Sequence, residues 1–188
     1  MKLLTVALLP LAFAVLQTPE KPEEKKPPAP LKVAPRAYFV SHCQRCHGVD
    51  GTNYTPQFAK DKPLDKLKFD IERMARGPGG LELKPEDIEV QVAYHQLISA
   101  AKPFLSWTGR DGLTLSGEFT DGAKVTANIG ELKVDEDEST WTLKLPSEAD
   151  FAKVKLTATL EKEKTELVLA ESSFAKLPKP KDPKLAGS

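Results

Sequence analysis

The sequence predicts a multidomain α + β chain, in which a small all-α unit precedes an all-β sandwich. Two patterns predict this fold class. In residues 36–102 the apolar residues recur at helical spacing, as Leu64, Leu67 and Ile71 do. In residues 103–175 the period changes to two, and turn residues separate short alternating runs, a pattern that is typical of a β-sandwich.

Three helices are expected in residues 36–102. The first begins at Ala37, just after a proline. The second covers residues 64–76 and ends at the glycine-rich segment 77–80. The third opens at Lys84, continues to Ile98 and has acidic residues in its first turn, where they favour the helix dipole.

Six alternating runs are expected to form strands in the second region, and Trp107 and Trp141 are expected to anchor its core. The acidic segment 135–139 is expected to be a polar turn. The runs are residues 113–119, 125–129, 131–134, 140–145, 154–160 and 165–169.

The terminal segments predict export. Residues 1–17 have a positive start, an apolar run and a small-x-small cleavage site, which together predict a signal peptide. An uncleaved membrane anchor is the alternative. Residues 18–35, rich in Pro, Glu and Lys, predict an extended linker that is either a tether or a solvated leader. Residues 176–188 predict a disordered tail, and the expected location is periplasmic or extracytoplasmic.

The motif with the clearest chemistry is C-x-x-C-H, formed by Cys43, Cys46 and His47. Two thiols at this spacing reach the two vinyl groups on one edge of a porphyrin. The adjacent imidazole then lies under the iron. The motif predicts one covalently bound haem c, with Cys43 and Cys46 as its attachment points and His47 as the proximal iron ligand.

Other uses of a cysteine pair fit this sequence less well. A zinc site needs four ligands, and the chain has only two cysteines and three histidines. A thioredoxin-type dithiol belongs to a βαβ unit, and no such pattern surrounds this pair. A disulfide across two intervening residues is strained and uncommon.

Residues 36–101 resemble a class I cytochrome c. Phe39 lies four residues before the first cysteine, where that family has an aromatic residue on its first helix. Gly48 and Gly51 continue the motif as C-H-G-x-x-G, and Tyr94 matches the helix-crossing tyrosine of the last helix. The resemblance implies that Phe39 and Tyr94 pack where the first and last helices cross.

The sixth iron ligand is where the sequence departs from that family. The resemblance implies a methionine on the loop before the last helix, but residues 77–83 contain none. Met74, three residues earlier, is the candidate distal ligand, although a methionine on an apolar helical face is usually core filling. His95 is a second candidate, and an open or water-bound iron is the third alternative.

Residues 103–175 resemble bacterial Ig-like repeats, through a Gly-Ala-x-Val turn that ends at Val125, a Trp-Thr strand at Trp141 and a late Val-x-Leu-x-Ala strand from Val154. This resemblance implies a β-sandwich without a catalytic set. Its expected role is to dock a partner, a redox enzyme or the cell envelope. An adhesion or assembly module with the haem region as its tether is the alternative.

The expected function is that of an exported monohaem c-type cytochrome that transfers single electrons, with a β-sandwich docking domain. A carrier or electron-transfer subunit without catalysis is favoured over an enzyme. The alternative is a haem protein with an open sixth site that binds small ligands or has peroxidase-like activity. The expected partners are redox proteins outside the cytoplasm, with membrane association only if the signal is uncleaved. Equal numbers of basic and acidic residues, 27 of each, argue against nucleic acid as a partner.

Overall fold

The computed structural model describes residues 28–54, 62–80 and 82–177. The expected signal peptide, the first part of the linker and most of the tail lie outside these ranges. Among the described residues there are four α-helices and two short 3-10 turns, the latter at Val49–Gly51 and Glu148–Lys153. The helices are α1 (Pro35–His42), α2 (Gln44–His47), α3 (Leu64–Arg76) and α4 (Pro85–Ser99).

The strands form two antiparallel sheets, one with the order β1-β2-β5-β4 and one with the order β3-β6-β7. In β5, alternation places one face of the strand in the core, with Trp141 and Leu143 buried and the residue between them exposed. The strands are β1 (Leu105–Asp111), β2 (Thr114–Phe119), β3 (Lys124–Ala127), β4 (Glu131–Asp135), β5 (Thr140–Lys144), β6 (Lys155–Leu160) and β7 (Glu163–Val168).

The three predicted helices are present within about two residues of their expected bounds, whereas α2 was not predicted as a separate helix. Pro35 and Pro85 occupy the first turns of α1 and α4, where a missing N–H costs nothing. Helix α3 has the predicted bounds and ends at Gly77, followed by a glycine-rich turn. These agreements concern local structure only. They do not show how the helices pack against the rest of the chain.

One hydrophobic core joins helices and sheets. Phe39 of α1 and Tyr94 of α4, both with no exposed surface, belong to the same cluster of buried residues as Phe104, Trp107 and Trp141 from the β region. Their burial is therefore shared between the two parts of the chain. Since fully burying an aromatic side chain contributes about 2–3 kcal/mol, this shared cluster is a major source of stability.

A second, smaller cluster belongs to the helical region. It contains Leu67 and Ile71 of α3 together with Ile88 and Val92 of α4. Helix α4 contributes to both clusters, because Val90 and Tyr94 belong to the first one and Ile88 and Val92 to the second. Its sequence is apolar on several faces for this reason.

The predicted fold class, an all-α cytochrome c domain followed by a separate all-β Ig-like sandwich, is wrong. The described residues contain seven strands in two antiparallel sheets and a few short helices. The physical reason is the shared core. Helices of 8, 4, 13 and 15 residues bury only the smaller cluster among themselves, and the remaining apolar surface of α1 and α4 packs with the β region.

The six expected strands are present within a few residues of their predicted bounds, but β1 was not expected. This strand lacks clean alternation, because its first three residues are all buried and its last two are exposed. A register shift between Trp107 and Gly109 interrupts its pairing with β2. Such a bulge removes the period-two signal from which strands are predicted.

The end of the predicted linker contacts the β region. The Leu31 amide donates a hydrogen bond to the Trp107 carbonyl oxygen at 2.9 Å, and the Ser173 hydroxyl donates to the Ala29 carbonyl oxygen. Leu31 also packs against the main core. Within the three described ranges, no helix has the length and apolar character needed to cross a membrane.

A carboxylate from the sheet caps helix α1. Residue Ala34, at the N-cap position, has no side-chain oxygen to cap the helix. Instead, Glu118 of β2 accepts hydrogen bonds from the amide nitrogens of Arg36 and Ala37, at 3.0 and 2.9 Å. Glu118 is 6% exposed, so these are buried, charge-assisted bonds at the positive end of the helix.

Replacing Glu118 with Gln should destabilise the fold by about 1–3 kcal/mol, because only one oxygen remains to accept two buried N–H groups. Chemical denaturation of the purified protein measures this change. The matched control is Glu166→Gln, an exposed position on β7, where we expect less than about 0.5 kcal/mol.

The pH dependence of the free energy of unfolding, compared between wild type and Glu118→Gln, gives a second measurement. Burial raises the pKa of Glu118 above its ordinary value of 4.5, although the amides of Ala37 and Arg36 oppose this. A raised pKa in the folded state means that the native protein holds this proton more tightly. The stability that protonation of Glu118 contributes is therefore fully present below pH 4.5, and it is lost as the pH rises through the folded-state pKa of Glu118. Wild type should gain stability relative to Glu118→Gln as the pH falls towards 4.5. A difference in the free energy of unfolding that does not change with pH would contradict this.

Candidate functional site

A mostly apolar cavity lies between α1, α2, α3 and α4. It contains about 900 Å³ of space free of protein atoms, including the part that is open to solvent. Side chains from all four helices line it, so the cavity depends on how they pack rather than on one loop. A concave, largely apolar site with a few polar groups is typical of ligand and cofactor binding.

The C-x-x-C-H motif forms part of the cavity wall. Cys43 follows the end of α1 and is half-buried, while Cys46 is exposed, and both thiols are free. The amides of Cys46 and His47 both donate to the Cys43 carbonyl oxygen, at 3.1 and 3.0 Å, so the motif is wound into one helical turn. Burial raises the pKa of the Cys43 thiol, and the neighbouring Cys46 adds to the effect.

The chain after His47 folds back onto the motif. Gly48 and Gly51 have φ values of 77° and 74°, which favour glycine and turn the chain sharply. The backbone amide of Asn53 then donates to the His47 carbonyl oxygen at 2.9 Å. The backbone amide of Tyr54 donates to the Gly51 carbonyl oxygen at 2.8 Å. Segment 48–54 is thereby fixed beside the imidazole.

Met74 lies on the wall that α3 provides. Its side chain is half-buried and lines the cavity together with Ile71 and Ala75 of the same helix. The thioether therefore shares the cavity with Cys43 and His47, although α3 is separated from them by residues 55–61, which lie outside the described ranges. The structure thus brings the four residues predicted from the sequence to one site.

His95 of α4 also lines the cavity and is 5% exposed. Its Nδ1 lies 2.7 Å from the Gln91 carbonyl oxygen, one turn earlier on the helix, which fixes Nδ1 as the protonated nitrogen. Burial lowers the pKa of His95 to about 4, while the bond to Gln91 opposes this and the charge of His47 lowers it further. His95 is therefore a neutral imidazole at physiological pH.

Tyr54 contacts both imidazoles. Its ring centroid is 4.8 Å from that of His47 and 5.8 Å from that of His95. Both histidines and Met74 line the same cavity, so His95 and Met74 are both placed where a group held by His47 could also reach them.

Two buried polar atoms in the cavity wall lack hydrogen-bond partners among the described residues. Tyr38 is 7% exposed and Gln91 is 1% exposed, and both line the cavity. The Gln91 Nε2 donates to the Pro35 carbonyl oxygen at 3.1 Å, but its Oε1 and the Tyr38 hydroxyl have no hydrogen-bond partner among the described residues. Because an unsatisfied buried polar group costs about 1–3 kcal/mol, such atoms are expected where a ligand or water binds.

Charged side chains also line the cavity. They are Lys62, Asp70 and Arg73, and the Lys62 Nζ lies 2.7 Å from Asp70 Oδ2, so that Arg73 is the cation among them without an ion-pair partner in the described part of this wall. A haem has two carboxylates at the edge opposite its vinyl groups, and a basic side chain on a different element from the thiols suits such a carboxylate. The residues present therefore fit a haem: thiols, an imidazole, a thioether, an apolar wall and basic groups.

The helix-crossing contact implied by the resemblance is present. The rings of Phe39 and Tyr94 are 5.4 Å apart, and the Tyr94 hydroxyl donates to Asp50 Oδ1 at 2.9 Å. Asp50 belongs to the segment that follows the motif, so this bond ties that segment to α4. Burial, with the charge of Asp50, raises the pKa of Tyr94.

Three residues of the site were not predicted from the sequence. Tyr38 and Gln91 look like ordinary helix residues, and Tyr54 lies in a segment without periodicity. Gln91 and His95 are four residues apart, a spacing that places both on one helical face. That spacing is the one sequence signal from which the polar wall of α4 could have been found.

No protein family model, curated protein or solved structure matches this chain. The function must therefore be argued from the site itself. In the described ranges, no three His, Cys, Asp or Glu side chains are grouped so that they could hold a metal ion.

Proposed function

We propose that this protein is an exported c-type cytochrome that carries single electrons. One haem is attached covalently through Cys43 and Cys46, and its iron is held by His47 and Met74. The observation that carries the proposal is the meeting of both thiols, the imidazole and the thioether at one cavity. The motif residues come from one helical turn, but Met74 comes from a separate helix.

Each residue has a distinct task. Each thiol would add its S–H across one vinyl double bond of the haem, which forms one C–S and one C–H bond and needs no oxidant. His47 would supply a nitrogen ligand and Met74 a thioether, a pair that raises the reduction potential. When bound, the haem supplies a one-electron iron couple. Ile71 and Ala75 limit the access of water to this group, and lower solvent access favours the reduced state.

The two thiols differ in exposure. Cys46 is exposed whereas Cys43 is half-buried, so a group attached at Cys46 would lie near the surface, where a partner protein could exchange electrons with it. The expected partners are redox proteins outside the cytoplasm, in agreement with the export signal predicted for residues 1–17.

Covalent haem binding is tested by expressing the full chain in a host that has a cytochrome maturation system. Wild type should give an alkaline pyridine spectrum of one haem c per chain, and the colour should remain with the polypeptide after denaturation. The Cys43→Ser/Cys46→Ser variant should lose all covalently bound haem, because serine hydroxyls do not add to vinyl groups under these conditions.

The matched control is Thr142→Ser, an exposed position on β5, which should retain one haem per chain. Alkylation of the denatured proteins gives an independent measurement. Wild type should contain no free thiol after maturation, since both sulfurs are in thioether bonds. A colourless wild-type protein in which both thiols react would refute the proposal.

A further inference from the structure

We infer that Tyr54 is a positioning residue that fixes the ring plane of the His47 imidazole. The inference rests on the proposed haem site, because a fixed ring plane matters only when His47 is an iron ligand. It assigns a role to a residue that belongs to neither the motif nor a helix. Outer residues that orient a metal ligand tune the metal as much as the ligand itself does.

The backbone fixes where Tyr54 lies. Its amide donates to the Gly51 carbonyl oxygen at 2.8 Å, and the preceding amide of Asn53 donates to the His47 carbonyl oxygen at 2.9 Å. The Asn53 Nδ2 also lies 3.4 Å from the Cys46 carbonyl oxygen. The position of Tyr54 is therefore defined relative to the same turn that carries His47.

Gly51 makes room for the tyrosine ring. A Cβ atom at Gly51 would lie 2.4 Å from Cδ2 and 2.6 Å from Cε2 of Tyr54. Both distances are shorter than non-bonded carbon atoms allow. It would also lie 3.1 Å from Cδ1 of Ile98 on α4. The ring of Tyr54 thus packs directly onto the glycine backbone, and this contact limits its rotation.

The tyrosine ring in turn contacts His47. The two centroids are 4.8 Å apart with an angle of 45° between the planes. On its other sides the Tyr54 ring meets His95 at 5.8 Å and Phe39 at 6.4 Å, and both of these residues are buried in the α1–α4 packing. Rotation of the His47 ring would therefore collide with a ring that is itself supported by the core.

The orientation of the His47 ring would determine how unevenly its π electrons interact with the two iron d orbitals that extend out of the haem plane. This unevenness is visible in the spread of the haem methyl signals in the NMR spectrum of the oxidised protein. A loosened imidazole averages over orientations, which reduces the spread. The ring of Tyr54, rather than its hydroxyl, is the part that restricts His47.

The experiment compares Tyr54→Leu with Tyr54→Phe in the mature, haem-loaded protein. Tyr54→Leu should reduce the spread of the haem methyl shifts and change the reduction potential, because the ring contact is lost. Tyr54→Phe keeps the ring and should retain the wild-type pattern.

The matched control is Phe151→Leu, which removes an aromatic ring from the β region, where Phe151 packs 5.2 Å from Trp107. It should leave the methyl shifts unchanged. If Tyr54→Leu shows the wild-type spread of haem methyl shifts, the inference is overturned. It is also overturned if Tyr54→Phe changes this spread as much as Tyr54→Leu does. Both results require a haem-loaded protein. Failure of the proposed function is therefore recognised separately, by a wild-type protein without covalent haem.

Discussion

Replacing Met74 with Ala is expected to lower the reduction potential of the mature protein by on the order of 0.1 V or more. Axial ligands set haem potentials over a range of roughly 0.8 V, and a thioether favours the reduced iron. Alanine leaves the position to water or to another side chain. Because Met74 lines the same cavity as His47 and is half-buried, its loss should act on the iron directly.

Met74→Leu separates ligation from packing. Leucine fills a similar volume and usually costs less than about 1.5 kcal/mol of stability, but it has no sulfur to bind iron. Both variants should therefore lose the weak absorption band near 695 nm of the oxidised protein, a marker that the cytochrome c resemblance implies. Spectroelectrochemical titration measures the potential. An unchanged potential and spectrum in both variants would show that Met74 only fills the core.

His95→Leu is the control for the other candidate ligand. We expect it to retain the 695 nm band, because His95 is a buried residue whose Nδ1 is already bonded to the Gln91 carbonyl oxygen. Loss of the band in His95→Leu, together with its retention in Met74→Leu, would reverse the assignment of the sixth ligand. Rapid binding of carbon monoxide by the reduced wild type would instead indicate an open site.

Replacing Phe39 with Ala should destabilise the whole protein by about 3–5 kcal/mol. Phe39 has no exposed surface and lies in the cluster that contains residues of α4 and of both sheets. Its removal leaves a cavity beside the rings of Tyr94 and His95, inside the cluster that also contains sheet residues. We therefore expect helix and sheet signals to be lost in one transition at a lower denaturant concentration.

Phe69→Ala is the matched control, since the same atoms are removed from α3 at a side chain that is 62% exposed. It should change the free energy of unfolding by less than about 0.5 kcal/mol. Circular dichroism reports the helices, and the fluorescence of Trp107 and Trp141 reports the sheets. Two separate transitions in Phe39→Ala, of which only the helical one shifts, would contradict a shared core.

Local features of this chain could be predicted from its sequence because they depend on neighbouring residues. Helix α3 follows from its apolar spacing and the glycines after it, and the strands follow from alternation and turn residues. The motif at Cys43, Cys46 and His47 was recognised for the same reason. The thiols and imidazole that carry the proposed chemistry are all found within five residues.

Packing between distant segments could not be predicted in this way. The apolar face of α1 and α4 reveals that these helices are buried, but it does not reveal that sheet residues bury them. The sequence pattern also changes abruptly near residue 103, and such a change suggests two domains even where one core spans it. Tyr54 was missed because its role depends on the fold of segment 48–54 and on the absence of a side chain at Gly51.

The carboxylate of Glu118 has a consequence for the order in which the chain can fold. The helix that leads into Cys43 begins on an acceptor contributed by a strand more than 80 residues later. A chain that ends before Glu118 therefore lacks this acceptor, and the start of α1 should be less ordered in such a fragment than in the whole protein.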